Sequence, residues 1–497
     1  MNVAFSNDVK ALIARVKAIA DDAGLETYIV GGSVRDALLH REIHDLDLAV
    51  DGDAFAFARR SADSFDGHFV TLDDVNAIAR VVLDDDVVRY IDVAQLQGSF
   101  EEDMRRRDFT IDALAVPLGD ELVIDVVGGL ADLDAKLVRM NSEYVFDEDP
   151  LRLLRAVRIA SDLKFAIEPA SLAAVRQRAS DVLKSAAERQ RDELARIFAL
   201  DDAYSGVRLL DDCRLLEVVL PEVAASRGVT QPGAFHAYDV FEHAMRAVEA
   251  LDVMLSRERP LHAAAWIWDD MWAVFDWQRS GLRAYLDEKM SEGRSRAMLL
   301  KLATLLHDVA KPQTQSTEAD GRVRFLGHPD AGADVAAKIM RRLRFSAREV
   351  RFVTMLVAEH LRPVQLAAVG DVPTRRALYR FHRDLGEAVP GVLLLALADA
   401  ASARGLTERS DPEASRGWTR HVRYMNSIVV RSEEEEGILD PPRLLSGDDI
   451  MREFGVSEGP DVGRLLEAIR EAQAVGEVDG VDGARALVRR LIERPAR

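Results

Sequence analysis

The chain has 497 residues, of which 48% are hydrophobic, and its formal net charge is −20. This length predicts roughly three or more domains. The acidic balance argues against a general nucleic-acid binder, because phosphate contacts require Lys and Arg. Cys213 is the only cysteine, so no internal disulfide can form and a cytoplasmic, reducing location is expected. We also expect no membrane segment, since no run approaches ~18 apolar residues.

Strand-like and helical patterns divide the chain at about residue 140. Before that point, short runs with strand character alternate with Asp-rich turns, which predicts a compact α+β domain. These runs are Phe69–Leu72, Arg80–Leu83, Val87–Val93, Ala113–Pro117 and Leu122–Val126. After it, the hydrophobic spacing is helical almost to the end. Residues 151–200 contain ten Lys and Arg against six Asp and Glu, so an RNA partner would have to bind a local basic surface.

A Gly-Gly pair ends an apolar run and opens a helix in Tyr28-Ile-Val-Gly-Gly-Ser-Val-Arg-Asp. Gly31 and Gly32 have no Cβ, so backbone N–H groups at the start of the helix can face a phosphate group. Arg35 follows one turn later and can add a cation. A Gly-Gly pair alone usually marks only a turn, so its weight depends on the neighbouring pattern.

Two carboxylates follow about ten residues after this turn, in the strand-like sequence Asp-Leu-Asp-Leu-Ala-Val. Asp45 and Asp47 are separated by one residue, and the period of a strand points both side chains to the same face. That face can hold magnesium. Asp92 lies on another predicted strand and can supply a third carboxylate, although an isolated strand Asp is structural about as often as catalytic.

The glycine turn followed by Asp-x-Asp resembles the class II branch of the DNA polymerase beta-like nucleotidyltransferases. This branch contains the bacterial tRNA nucleotidyltransferases, or CCA-adding enzymes, and the poly(A) polymerases. The resemblance implies an α+β head with a small mixed sheet, in which Asp45 and Asp47 bind two Mg²⁺ ions. It also implies that Gly31, Gly32, Arg35 and Arg107 hold the triphosphate.

A second family motif is matched by Arg106, Arg107 and Asp108, which the resemblance associates with recognition of the triphosphate and the ribose. A basic run by itself is usually only a solvated face. Asp112 departs from the pattern, because the family usually has Asn at this position.

The sequence Phe-Asp-Glu-Asp-Pro-Leu-Arg starts a helix, with Asp149 as a cap and Pro150 at the first helical position. Asp149 only accepts hydrogen bonds and Arg152 only donates them. Such a pair complements the Watson–Crick edges of A and C and opposes those of G and U. The resemblance implies the same, since Glu148, Asp149 and Arg152 match the family's template for ATP and CTP, and Arg155 is expected to contact the nucleotide.

A second set of chemically active residues has the order His243, His307-Asp308 and Asp399. A single buried His is usually a core residue, but an adjacent His-Asp within apolar helix is harder to dismiss. The pattern resembles the HD-domain metal phosphohydrolases. His328 and His360 stand where members with more ligands have additional His residues. Imidazole and carboxylate ligands suit several divalent metals, so the identity of this metal stays open.

These patterns predict four segments. They are a nucleotidyltransferase head (1–140), a helical neck and body (141–235), an HD domain (236–430) and a helical tail (431–497). Residues 266–277 contain four of the five tryptophans, which are expected to form the core of an insert rather than an exposed docking patch. The acidic run Glu433–Glu436 is expected to be a solvated linker.

The sequence therefore predicts a tRNA 3′-terminal nucleotidyltransferase that adds C, A or both from CTP and ATP, fused to an HD phosphohydrolase module. One alternative is a poly(A) polymerase, which shares the head motifs. Another is an HD phosphohydrolase or nucleotide sensor with a vestigial head, which the intact head motifs disfavour. CCA, CC-only and A-only addition share these motifs, so the sequence leaves them open, as it does the oligomeric state.

Overall fold

A computed structural model describes residues 1–85, 87–231, 238–275, 279–291, 293–369, 372–403, 412–434 and 441–493. The chain forms two compact units. The first consists of residues 1–197 and 209–219, and the second of residues 198–208 and 220–497. The boundaries of the four predicted segments stay predictions.

The first unit contains a seven-stranded mixed sheet and a set of helices. The sheet order is β3-β4-β5-β2-β1-β6-β7. Its strands are β1 Thr27–Val30, β2 Asp45–Val50, β3 His68–Asp73, β4 Ile78–Val82, β5 Tyr90–Gln95, β6 Leu114–Pro117 and β7 Ile124–Asp125, and the short pair β8 Leu137–Val138 and β9 Ala166–Ile167 lies outside it. The helices are α1 Asn7–Ala23, α2 Gly32–Leu38, α3 Ala54–Phe65, α4 Phe100–Arg105, α5 Gly129–Asp134, α6 Val145–Glu148, α7 Arg152–Leu163, α8 Pro169–Arg178, α9 Ala187–Ala199, α10 Ala203–Asp212 (its residues 209–212) and α11 Leu216–Val219.

Strand β2 lies in the middle of the sheet, and its apolar and acidic side chains alternate as the Asp-Leu-Asp-Leu pattern predicts. Leu46 and Leu48 are fully buried, whereas Asp45 and Asp47, which alternate with them along the strand, point to the opposite face. β2 pairs with β1 in antiparallel fashion and with β5 in parallel fashion. The mixed sheet and the helical remainder confirm the predicted α+β fold.

Two predicted strands are shorter in the structure because Asp side chains turn the backbone. β5 begins at Tyr90 rather than Val87, since the carboxylate of Asp85 accepts the N–H groups of Val87 and Val88 at 2.8 and 3.0 Å. β7 ends at Asp125, whose carboxylate accepts the N–H groups of residues 127–130 and caps α5. Such local bonds compete with strand pairing.

The preference of Pro for the first helical position predicts that helix α7 begins at Pro150. In the structure the helix begins at Arg152 instead. The Asp149 carboxylate accepts the N–H of Leu151 at 3.1 Å, and the Asp149 carbonyl accepts that of Arg152 at 3.1 Å. Residues 149–151 therefore form a turn that precedes the helix, and Asp149 does have the predicted capping bond.

The second unit is helical apart from two short hairpins, β10 Lys289–Ser291 with β11 Arg294–Ser295 and β12 Gln315–Thr317 with β13 Val323–Phe325. Its helices are the start of α10 (203–208), α12 Pro221–Ala224, α13 Val240–Leu255, α14 Ala265–Phe275, α15 Arg279–Asp287, α16 Arg296–Leu306, α17 Lys311–Thr314, α18 His328–Arg342, α19 Ala347–Glu359, α20 Arg362–Val369, α21 Arg375–Leu385, α22 Val389–Ser402, α23 Pro412–Glu434, α24 Gly447–Phe454, α25 Pro460–Ala474 and α26 Gly480–Glu493.

One helical stretch, Arg375–Ser402, has the length and the mean hydropathy (1.5) of a membrane span. However, 72% of its apolar window is buried inside the protein. Its second half is α22, which packs against α13, α16 and α19. We therefore interpret this stretch as a core element, since a fully apolar helix is also typical of a protein interior.

The Trp-rich segment forms a core, as predicted. Trp272 is 3% exposed, and the Nε1 of Trp268 donates to the Ser256 carbonyl at 3.1 Å. The rings of Trp266 and Trp418 meet edge to face, with centroids 5.7 Å apart. Trp277 lies outside the described residues.

The predicted linker at Glu433–Glu436 is in part helical. α23 continues through Glu433 to Glu434, and the last two Glu residues lie outside the described part of the chain. The tail that follows has its own apolar core, in which Ile450, Leu465 and Val488 are at most 1% exposed.

Candidate active sites

The first candidate site is the carboxylate face of β2 and β5. In the parallel register of these strands Asp47 lies beside Asp92, and Asp45 lies two residues before Asp47 on the same face. Burial, together with the charges of Asp92 and Asp45, raises the pKa of Asp47 to about 6 against the opposing effect of Arg107. The pKa of Asp45 is also raised, mainly by burial. Clustered carboxylates with raised pKa values fit the binding of a hard divalent cation.

Asp92 has a partner that the sequence analysis missed. Arg80 on β4 donates from Nε and Nη2 to the two carboxylate oxygens of Asp92, at 2.7 and 2.8 Å. Arg80 and Asp92 are register partners in the antiparallel pair β4 and β5, so only the strand pairing could have revealed the contact. Asp92 is thus paired with Arg80, although its charge still raises the pKa of Asp47. Its role as a third catalytic carboxylate stays a prediction.

The glycine turn lies directly against Asp47. Gly31 has a positive φ of 67°, and a Cβ there would lie 3.3 Å from Nη1 of Arg107 and 3.7 Å from Oδ2 of Asp47. A Cβ on Gly32 would lie 3.5 Å from the same Asp47 oxygen. Position 31 therefore favours glycine because of its positive φ and the short distance to Arg107, whereas a Cβ on Gly32 would make only ordinary van der Waals contacts.

Ser33 fixes the turn to β2 and was also missed. Its Oγ accepts the N–H of Asp47 at 2.7 Å and lies 3.0 Å from the Asp45 carbonyl oxygen. The side chain is buried. Ser33 occupies the variable position of the Gly-Gly-x-Val-Arg-Asp motif, so the motif gave no reason to select it.

Arg35, which is expected to add a cation near the triphosphate, is held in place by two carboxylates. Arg35 is 7% exposed, and its guanidinium lies between Asp112 (Nη1 to Oδ1, 2.5 Å) and Asp36 (Nε to Oδ1, 2.9 Å). Asp112 is the residue that departs from the family pattern, and here it supplies the partner of Arg35. The pKa of Asp112 is nevertheless raised, because burial outweighs the opposing charge of Arg35. Arg35 therefore braces the glycine helix rather than facing solvent.

The second motif surrounds the same face. Arg107 donates to Asp103 at 3.3 Å and lies over the Gly31 turn. Asp108 is buried and accepts from the Phe109 N–H (3.0 Å) and from Arg155 (2.9 Å). Although burial raises the pKa of Asp108, the charges of Arg155 and Arg152 lower it below its ordinary value.

Arg106 differs from Arg107 and Asp108, the other two residues of the motif, because its side chain is exposed. Its carbonyl oxygen accepts from Nη2 of Arg152 at 3.3 Å. This contact connects the second motif to the base-template residues.

Of the predicted template residues, Arg152 and Glu148 pair with each other, whereas Asp149 pairs with a residue outside the motif. Arg152 donates to Glu148 at 3.0 Å, as the spacing of four residues predicts. Asp149 forms a two-fold ion pair with Arg189 on α9, with Nη1–Oδ1 and Nη2–Oδ2 distances of 3.2 and 2.7 Å. Arg189 is not among the predicted site residues, so its contact with Asp149 was missed.

The second candidate site gathers all six predicted HD residues of the second unit. The Nε2 atoms of His243 and His307 lie 3.3 Å apart. They lie 3.5 and 3.1 Å from Oδ2 of Asp308, and His243 lies 3.0 Å from Oδ1 of Asp399. On the other side of Asp308, Nε2 of His328 and His360 lie 3.2 and 3.9 Å from Oδ1.

This arrangement fits a pair of divalent metal ions. Asp308 belongs to two groups of convergent ligand atoms, one with His243 and His307 and the other with His328 and His360. Both carboxylate oxygens of Asp308 and Nε2 of His328 are buried without a hydrogen bond of good geometry. Buried polar atoms of this kind need a partner, and a metal ion would provide one.

The groups of the cluster differ in their pKa shifts. Burial lowers the pKa of His307, but the charges of Asp308 and Asp399 outweigh it and raise that pKa above its ordinary value. Burial lowers the pKa of His360 to about 4, so this imidazole is neutral at pH 7. The pKa of Asp308 is well below its ordinary value, because His307 and Lys311 outweigh the effect of burial. Neutral imidazole and ionised carboxylate are the forms that bind metals.

Lys311 adds a cation to the same centre. Its Nζ lies 2.5 Å from Oδ2 of Asp308, and the residue is buried one turn after it. Lys311 is not among the residues predicted from the sequence for this site.

Comparison with protein families agrees with both sites. The sequence model of the poly A polymerase head domain matches residues 27–139, which include the carboxylate face and the second motif. The model of the probable RNA- and SrmB-binding site of polymerase A matches residues 164–226, and that of the HD domain matches residues 281–404. His243 lies N-terminal to the range that the HD model matches.

The chain is similar to characterised proteins over nearly its whole length. It is 37% identical to the A-adding tRNA nucleotidyltransferase of Deinococcus radiodurans, over 94% of this chain and 95% of that protein. It is 32% identical to the CC-adding tRNA nucleotidyltransferase of Thermus thermophilus, over 93% of each.

Solved structures share the fold. A CCA-adding enzyme in complex with ATP gives a TM-score of 0.60 at 18% identity, with 99% of this chain and 96% of that chain covered. The Thermotoga maritima CCA-adding enzyme complexed with tRNA gives 0.53 at 17% identity, with 98% and 96% covered.

Proposed function

Because the chain belongs to the tRNA nucleotidyltransferases and is an RNA nucleotidyltransferase enzyme, we propose that it adds C, A or both to the 3′ end of tRNA from CTP and ATP. The observation that carries this proposal is the placement of Asp45 and Asp47 on one strand face directly beneath the glycine turn. The complexes of similar enzymes with ATP, CTP and tRNA support the same partners. A cytoplasmic site of action is part of the proposal.

Asp45 and Asp47 would hold the catalytic cations, which we take to be two Mg²⁺ ions. When bound, such ions activate the attacking 3′-hydroxyl and stabilise the leaving pyrophosphate. The backbone at Gly31 and Gly32 leaves room for a triphosphate beside Asp47, and Arg107 supplies the nearby cation. Ser33 keeps the turn in register with the strand, and Arg80 balances part of the charge of Asp92.

Base choice is assigned to Asp149 and Arg152, with Glu148, Arg155 and Arg189 holding their surroundings. Asp149 offers acceptors to the amino groups of A and C, and Arg152 offers donors to the adjacent ring nitrogens. A mispaired base in such a site is rejected because charged groups would lose their hydrogen bonds. The Arg189 pair gives Asp149 a fixed orientation.

Addition assays with single nucleotides test the proposal. Purified protein is incubated with tRNA transcripts that lack CCA, that end in CC or that are complete, each with CTP or ATP alone. Extension of the first by CTP, of the second by ATP, or both is expected, and no extension of the complete transcript. Long A tails on unrelated RNA would support a poly(A) polymerase instead, which the HD domain and the tail disfavour.

A second activity is supported by the HD cluster. We propose that the second unit hydrolyses phosphomonoesters or 2′,3′-cyclic nucleotides with a pair of divalent metal ions. The observation that carries it is Asp308, whose two oxygens face two separate groups of His residues. Such ions polarise phosphate and activate water. Asp308 would bridge them, and Lys311 would balance the charge of the carboxylate.

Release of phosphate, or opening of a cyclic nucleotide, in the presence of Mn²⁺, Ni²⁺, Zn²⁺ or Mg²⁺ tests this activity. If the full-length protein binds metal at the cluster and none of these metals supports hydrolysis, the second unit is better interpreted as a sensor or a structural module.

A further inference from the structure

The four His residues around Asp308 are not oriented in the same way. His307, His328 and His360 each direct Nδ1 to the carbonyl oxygen of the residue three positions earlier, at 2.8, 2.7 and 2.7 Å. A carbonyl oxygen can only accept, so Nδ1 of these rings carries a proton, and in the neutral ring Nε2 carries the lone pair. Their ligand form is therefore fixed by the backbone.

His243 is held by a side chain instead. Its Nδ1 lies 3.1 Å from Oγ of Ser402. Ser402 is fully buried and lies one turn after Asp399 on α22. A hydroxyl can donate or accept, so the form of His243 depends on where the single Ser402 proton points.

The helix provides an acceptor for that proton. Oγ of Ser402 lies 2.9 Å from the carbonyl oxygen of Asp399, and Ser in a helix commonly donates to the carbonyl three or four residues earlier. With its proton used there, Oγ can only accept from His243. Nδ1 of His243 then carries a proton, and Nε2 directs its lone pair toward Asp308 and Asp399.

We propose that Ser402 is a positioning residue that keeps His243 in the Nδ1–H form and so keeps Nε2 available to a metal ion. The inference rests on the proposed phosphohydrolase centre and adds a residue to it. One turn of α22 would then supply both a carboxylate ligand, Asp399, and the hydroxyl that orients a second ligand.

Loss of the hydroxyl favours the competing form of the ring. In the Nε2–H form, His243 can donate to Oδ1 of Asp399, which lies 3.0 Å away. That bond would occupy two ligands at once. Removing a partner that orients a metal-binding His typically weakens metal binding by about 10- to 100-fold.

The test measures Mn²⁺ binding by calorimetry with full-length, metal-free protein. Ser402→Ala is expected to weaken binding by about 10- to 100-fold, and Ser402→Thr, which keeps the hydroxyl, by no more than about threefold. Ser226→Ala is the matched control, because Ser226 is also buried and its Oγ donates to the carbonyl three residues earlier, that of Val223. Nucleotide addition by all three variants should equal that of the wild type.

A double variant separates positioning from a general structural effect. If Ser402 acts through His243, then adding Ser402→Ala to His243→Ala should cause no further loss of Mn²⁺ affinity. The inference would be overturned if Ser402→Ala lowered the Mn²⁺ affinity of His243→Ala by the same factor as that of the wild type. A Ser402→Ala protein that binds Mn²⁺ as tightly as the wild type would also overturn it. A wild-type protein that binds no more Mn²⁺ than Asp308→Ala would instead refute the metal centre on which the inference depends.

Discussion

The two candidate sites are built in opposite ways. The carboxylate face of the first unit comes from neighbouring positions on two paired strands, with Asp47 beside Asp92 and a turn that ends at Gly32. The HD cluster of the second unit takes its six ligands from residues between His243 and Asp399, carried by or adjoining α13, α16, α18, α19 and α22. The first site thus depends on strand register and the second on the packing of helices distant in sequence.

Each design has a different weakness. The strand site concentrates negative charge at short range, so its main cost is repulsion and burial of Asp47. The helix site spreads its charges over several elements and buries them. Its main free-energy cost is therefore that of fixing the orientation of the buried His rings. Hydrogen bonds from Nδ1 to backbone carbonyl oxygens offset this cost. Substitutions that change only charge should therefore affect the first site most.

The largest expected effect is that of Asp47→Asn on nucleotide addition. The change removes one charge from a shared cation site but keeps the size of the side chain, and the rate should fall by about a thousandfold, since the metal contribution is several kcal/mol. Asp45→Asn should behave alike. Asp51→Asn, an exposed Asp just after the end of β2, is the matched control and should retain full activity.

Primer-extension rates with saturating CTP and ATP would measure this, and tRNA binding should persist in both variants. Addition within about tenfold of wild type in Asp45→Asn and Asp47→Asn would contradict the two-metal assignment.

In the HD cluster, Asp308→Ala should abolish metal-dependent hydrolysis while nucleotide addition continues. Hydrolysis should drop by about a hundredfold or more, because both metal positions lose their shared ligand. His328→Ala should remove only one of two bound ions. The measurement is metal content after dialysis together with phosphate release, and two ions retained by His328→Ala would show that the pair is assigned to the wrong residues.

The sequence was sufficient for contacts that are local or that follow a period. Asp45 and Asp47 share a face because strands alternate, and Arg152 meets Glu148 because the two are only four residues apart, on either side of one turn. The HD order was found for another reason, which is that its residue types resemble a known family.

Contacts across elements could not be predicted. Arg80 reaches Asp92, and Arg189 reaches Asp149, only once strands and helices have packed. The pairing of Arg35 with Asp112 was not predicted, since spacing along one helix gives no sign of the buried carboxylate opposite it. Ser402 lies 159 residues from His243, and no pattern within α22 marks it.

A smaller effect is expected at Asp149, where two interpretations now compete. If Asp149 recognises the base, Asp149→Ala should raise UTP and GTP incorporation relative to CTP and ATP by about ten- to a hundredfold, since a charged hydrogen bond contributes about 1.5–3 kcal/mol. If it only caps the turn, stability should fall by ~1 kcal/mol with the base ratio unchanged.

Arg189→Ala refines this test. It removes the ion pair but leaves the capping bond to Leu151, so a change in base ratio without loss of melting temperature would assign orientation of Asp149 to Arg189. An unchanged ratio in both variants would leave Asp149 as a cap.

The smallest expected effect is a pH dependence of stability in the metal-free protein. The pKa of Asp47 is raised from 3.8 to about 6, first by burial and then by Asp92, so the folded protein holds this proton more tightly than the unfolded chain. The corresponding stability is fully present below pH 3.8 and is lost as the pH rises through about 6. Its size is at most about 3 kcal/mol.

Thermal melting between pH 4 and pH 8 should show this decline in wild type and less of it in Asp47→Asn. Added Mg²⁺ should restore the wild-type melting temperature above pH 6 far more than that of the variant, because the ion replaces the proton as the partner of the buried carboxylate. Equal pH profiles for the two proteins would mean that water reaches Asp47 and that its burial does not set its charge.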